Sequence, residues 1–123
     1  MRIQSVFIRV LLGISFVSLS GPAVSDEESD LAADCSIRAS GGEVAVIVCP
    51  PGSHAKVWRA AGRKACAASR GICNAWIWED ADKAPLEAPL TDSDLPEAQV
   101  KAAVAVWIND SERMMLLRKV DPV

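Results

Sequence analysis

Apolar and polar residues alternate on either side of Gly41-Gly42 in the stretch CSIRASGGEVAVIVC, residues 35–49. Two alternating runs around a glycine pair predict a β-hairpin. A three-residue turn, Gly41 to Glu43, would set Ser40 opposite Val44. It would bring Ala39 to Ala45, Ile37 to Ile47 and Cys35 to Cys49, all on one face. A two-residue turn also leaves an apolar face, but it misaligns the cysteines by one position, and a one-residue slip sends every side chain to the opposite face. A Cys35–Cys49 bridge would therefore select the three-residue turn.

Pro50, Pro51 and Gly52 end the second run, and Ser53 is placed to cap a helix through its hydroxyl. Val57, Ala61, Ala65 and Ala68 recur at helical spacing and predict a sheet-facing stripe. Gly71, able to adopt the left-handed conformation, marks the helix end at Arg70-Gly71. Gly62 weakens the helix interior by about 1 kcal/mol relative to alanine.

CNAWIWED, residues 73–80, alternates as a strand with Cys73, Ala75 and Ile77 on one face and Asn74, Trp76 and Trp78 on the other. Both faces are apolar enough to be buried. Pro85, Pro89 and Pro96 then exclude a continuous helix or central strand, leaving a proline-rich acidic loop at 81–94. Asp94 and Glu97 have capping-box spacing for a short helix over 94–102, with Pro96 in its first turn. The final stretch, AVAVWINDSERMMLLRKV, carries two apolar runs around Asn109-Asp110-Ser111. A helix is the competing reading of those runs, but the β-branched Val104, Val106 and Ile108 favour strands. With Asn109 opposite Glu112, Trp107 faces Met114 and Ala105 faces Leu116. The order β-β-α-β-α-β-β predicts a small α+β domain over 35–123. Its sheet would be mainly antiparallel, with one or two helices packed on one face.

The chain opens differently. Arg2 and Arg9 precede or flank a run of apolar residues from Val10 to Leu19, and Ala23 and Ser25 complete an A-x-S site. This is the three-part pattern of a secretory signal peptide over 1–25, cleaved before Asp26. The run is too short to span a bilayer, which takes about 20 apolar residues, so no transmembrane anchor is expected in the mature chain. Residues 26–34 read as an acidic flexible segment. Loss of the leader would leave 98 of 123 residues, with 11 basic against 16 acidic side chains, a net charge of −5 instead of −3. The expected location is secreted or periplasmic. An acidic protein is a poor partner for nucleic acid.

Cys35, Cys49, Cys66 and Cys73 all follow the leader. An even number of cysteines in a small exported chain predicts a disulfide framework. Zinc binding and thioredoxin-like chemistry both lack their C-x-x-C spacing, and His54 is the only histidine, so no metal site is expected. The hairpin favours 35–49, which leaves 66–73 to tie the helix end to the next strand.

Three surfaces are candidate contact sites, the first of them the proline-rich acidic loop at 81–94. Lys56, Arg59, Arg63 and Arg70 fall within a sector of roughly 60° on a helix, in a region without acid from residue 44 to residue 78. They suit an anionic surface or another extracytoplasmic protein. They also suit the chain's own Glu79, Asp80 and Asp82. Trp76, Trp78 and Trp107 could form an aromatic platform for envelope glycans, although a core made largely of alanine and valine needs bulky indoles to fill it. No nucleophile elbow, zincin motif, P-loop or dinucleotide fingerprint is present. The expectation is a non-catalytic exported binding or accessory module without a cofactor. The alternatives are a small enzyme, a redox protein with a labile disulfide, or a glycan binder.

Overall fold

The computed structural model describes residues 30–118. The expected leader, the start of the acidic segment and residues 119–123 lie outside the described residues. The chain runs β1 (Ser36–Gly41), β2 (Val44–Val48), α1 (Ala55–Cys66), β3 (Asn74–Trp78), α2 (Glu97–Ala102), β4 (Ala105–Ile108) and β5 (Arg113–Leu116). The expected element order and α+β class hold. The five strands lie in sequence order, β1-β2-β3-β4-β5. Three of the joints are antiparallel and the β2–β3 joint is parallel. That parallel joint follows from α1, which carries the chain back to the start of the sheet between the two strands.

The first hairpin differs from the expected three-residue turn. Gly41 pairs with Val44, Ser40 with Ala45 and Ala39 with Val46, so the turn is the two residues Gly42 and Glu43. The register then shifts at Arg38, after which Ile37 pairs with Ile47 and Ser36 with Val48. The extra residue at this bulge cancels the one-residue misalignment. Cys35 and Cys49 meet as expected, with Cα atoms 4.1 Å apart, and Cys66 pairs with Cys73. The two bridges are consistent with an oxidising, extracytoplasmic location.

Helix α1 is shorter than its alanine content suggests. Its N-cap is His54, without a side-chain cap. Ser53 is not the cap, because its hydroxyl donates to Pro50 O at 2.6 Å and its N–H to Glu79 Oε2 at 3.1 Å. The helix ends at Cys66 and not at Arg70. Beyond it the Ser69 hydroxyl is within hydrogen-bond reach of both the N–H and the carbonyl of Gly71, a local closure that competes with further helix. Gly71 is not left-handed; among the described glycines only Gly42 and Gly52 have positive φ. The buried side of α1 is Trp58, Ala60, Ala61, Gly62 and Cys66. Val57 and Ala65 flank it and Ala68 is exposed. The face is turned towards Trp58 because that indole offers far more area to bury than any alanine.

The sheet is covered on both sides. Ala45, Ile47, Ala75, Ile77, Ala105 and Trp107 pack with α1. Val44, Val46 and Trp78 pack on the opposite face with Ala84, Leu95 and Ala103. Val100 and Ala102 of α2 join this second cluster, so the two helices do not share a face. Asp94 and Glu97 form no capping box: α2 has Pro96 at its N-cap, and the Asp94 carboxylate accepts from the Thr91 hydroxyl at 3.1 Å. The closing hairpin follows its expected register, with Trp107 opposite Met114 and Ala105 opposite Leu116. No helix among the described residues is long and apolar enough to cross a membrane.

Candidate functional site

The proline-rich stretch after β3 is tied to the sheet at several points, and each tie has a cause in the sequence. Arg38 is the bulged residue of β1, and its guanidinium donates to Ala81 O at 2.8 Å and Ala84 O at 3.2 Å. Asp80 caps the 3-10 turn Ala81–Lys83 by accepting from Asp82 N–H. At the other end, Glu43 N–H donates to Leu90 O at 2.9 Å. That approach requires Gly42: a Cβ there would lie 2.6 Å from Leu90 O, and φ is +55°.

The second tie comes from polar atoms on the covered face of β3. Asn74 Nδ2 and Trp76 Nε1 donate to the two carboxylate oxygens of Asp92, at 2.6 and 2.7 Å. Trp78 Nε1 donates to Gln99 O at 2.9 Å. A donor placed under a cover must find an acceptor in that cover, or lose the hydrogen bonds it makes to water. Asp92→Asn puts an amide N–H₂ where one of the two donors now finds an acceptor. We expect a loss of about 1–2 kcal/mol of stability. Chemical denaturation measures it, and an unchanged midpoint would show that Asp92 does not hold the loop.

Between these ties lie two consecutive Ala-Pro-Leu triplets, Ala84-Pro85-Leu86 and Ala88-Pro89-Leu90, separated by Glu87. Ala84 and Pro85 are buried against the sheet, while Leu86 is 79% exposed and Leu90 70% exposed. The prolines restrict φ to near −65°, so the leucines are displayed on a stiffened backbone. Along the chain, Asp80, Asp82, Glu87, Asp92 and Asp94 flank or separate them, with Lys83 as the only cation between residues 79 and 97; Asp92 is taken up by Asn74 and Trp76. This arrangement sets two exposed leucines on a proline-stiffened segment with an exposed carboxylate, Glu87, between them.

The residues singled out from the sequence are dispersed. Trp76 and Trp78 lie beneath the loop, stacked with ring centroids 6.2 Å apart. Trp107 packs on the opposite face, and both Trp78 and Trp107 are fully buried. The three indoles thus form no single platform; alternation puts Trp107, opposite Ala75, on the face turned to α1. The basic stripe is also broken. Lys56 and Arg59 are exposed on α1, but Arg63 lies over the Trp107 ring at 5.5 Å and reaches Glu112 at 3.2 Å. Arg70 is exposed in the turn beyond the helix.

Two of the three acids that were candidate partners for that stripe have other partners among the described residues. Glu79, its side chain only 9% exposed, pairs with Arg118 at 2.8 Å, and Asp80 lies 4.0 Å from Lys83. His54 is exposed, all four cysteines are bridged, and no metal-binding group of acidic, cysteine or histidine side chains occurs among the described residues. Leu86, Leu90 and Asp92 were not singled out by the sequence reading. The signal for the leucines was the triplet duplication; for Asp92 it was the polar pair Asn74 and Trp76 on an otherwise apolar strand face.

Comparison with known protein families, curated proteins and solved structures finds no match to this chain.

Proposed function

We propose that the protein is an exported, non-catalytic binding module that acts through protein–protein contact, with residues 84–92 as its contact surface. The observation that carries this reading is the display of two largely exposed leucines on a segment whose flanks are bonded to the sheet. An ordered, proline-stiffened segment loses little conformational freedom on binding, and leucine burial supplies about 1.5–3 kcal/mol per side chain. Glu87, exposed between the two leucine triplets, favours a partner with apolar pockets and a basic rim. The signal-peptide pattern, with its expected cleavage before Asp26, and the two disulfides support a partner outside the cytoplasm.

The test is capture from the native extracytoplasmic compartment with wild-type and variant protein. Leu86→Asp and Leu90→Asp should each weaken retention of the captured protein roughly ten- to a hundredfold, with the thermal melt unchanged. Lys56→Glu with Arg59→Glu should leave retention intact. Retention by the leucine variants, with loss in the Lys56 and Arg59 variant, would move the contact surface to α1 and refute the proposal.

A further inference from the structure

The cations of the described residues fall into two groups. Arg63, Lys83, Lys101 and Arg118 each pair with a carboxylate, and Arg38 donates to carbonyls of the loop. Lys56, Arg59, Lys64, Arg70 and Arg113 have no such partner among the described residues. Acid outnumbers base in this chain, so these five are not unpaired for want of carboxylates. Lys56, Arg59 and Lys64 are all exposed on α1, and Arg70 is exposed in the turn that follows it.

The three cations on α1 share an outward face. At about 100° per residue, Lys56 points roughly 160° away from Trp58, with Arg59 and Lys64 on either side of it. Trp58 is fully buried against the sheet, so this face looks away from the sheet. Glu112 reaches α1 and is taken up by Arg63. The acids of the loop and of α2 belong to the cover on the opposite face. With about 10 Å per packed layer the two covers lie roughly 20 Å apart. That exceeds the screening length of about 8 Å at physiological ionic strength. A net acidic protein therefore presents one locally basic side.

The chemistry of that side selects its partner. None of the large apolar side chains exposed on the surface belongs to α1. Protein interfaces are anchored by buried apolar and aromatic side chains, which this face does not offer. A layer of phosphate headgroups needs only charge, and each cation close to an anionic surface raises partition about fivefold. We propose that α1 rests on an anionic lipid bilayer, with Lys56, Arg59 and Lys64 against its phosphodiester headgroups. The loop, packed on the other face of the sheet through Ala84 and Ala88, stays free for its protein partner. The inference does not rest on the loop's role, because it uses the opposite side of the fold.

Co-sedimentation with vesicles of phosphatidylcholine, with and without one third phosphatidylglycerol, tests it. The exported protein should bind the phosphatidylglycerol vesicles alone, and binding should fall as salt rises. Lys56→Gln, Arg59→Gln and Lys64→Gln together should weaken binding about a hundredfold, with the thermal melt unchanged. Arg113→Gln, which removes an unpaired cation from β5, and Leu86→Asp should both bind as the wild type does. No binding to phosphatidylglycerol vesicles at low salt, or equal binding to both vesicles, would overturn the proposal. So would binding that survives the triple change, or that is lost equally in Arg113→Gln. Displacement by free glycerol phosphate at the lipid concentration would overturn it in favour of a soluble phosphate. A photoreactive group at position 59 that joins α1 to a protein and not to lipid would overturn it in favour of an acidic protein.

Discussion

Reduction of both disulfides is expected to lower the melting temperature by about 20–40 °C. The bridges close segments of 14 and 7 residues. Restricting the unfolded chain over such spans contributes about 3 and about 2.5 kcal/mol respectively. Their combined effect is comparable with the whole stability of a small domain, about 5–10 kcal/mol. The dependence has a visible source, because the buried core relies on many alanines and the large side chains are concentrated in Trp58, Trp78 and Trp107. Each alanine removes little area from water, so less of the ordering cost is offset by burial. Thermal melts with and without reductant measure the effect, and coincident melts would show that the bridges are not what holds the domain.

Gly62→Ala should destabilise by about 2–3 kcal/mol, the upper part of the range for overpacked cores. The expected sign is the informative part. In an exposed helix interior the same change stabilises by about 1 kcal/mol, which is how the sequence alone presents this glycine. In the folded protein a Cβ on Gly62 would overlap Cβ and Cγ of Trp107. Those atoms sit next to the β4 backbone, so the indole cannot swing clear and α1 must lift from the sheet. Gly62 thus permits the close approach of helix and sheet and is not a defect in α1. A denaturation midpoint that rises in the alanine variant would contradict this packing.

What could be read from the sequence depended on whether one local pattern admitted one geometry. The closing hairpin was legible because Asn109 to Ser111 mark a turn and the apolar runs align Trp107 with Met114 only when Asn109 faces Glu112. The cysteine pairing was legible for a similar reason. The path of the first hairpin was not, since a three-residue turn and a two-residue turn with a bulge both bring Cys35 to Cys49. Alanine is accepted at nearly any helix position, so the run from Ala60 to Ala68 contained no signal for a helix end at Cys66. The two-sided cover was partly visible in NAWIW, which is apolar on both faces. Which segment supplied the second cover depended on distant partners, Arg38 with Ala81 and Asn74 and Trp76 with Asp92. The loop itself stood out as long, acidic and proline-rich. Its proposed role in contact was open to the sequence, but the leucines that would carry it are identified only by the exposure of Leu86 and Leu90.

Site-directed photo-crosslinking of the protein in its native cell tests that proposed role most directly. A photoreactive side chain at position 86 or 90 should join the protein to one other extracytoplasmic protein, and the same group at position 59 on α1 should not. Adducts at position 59 with none at 86 or 90 would contradict the account.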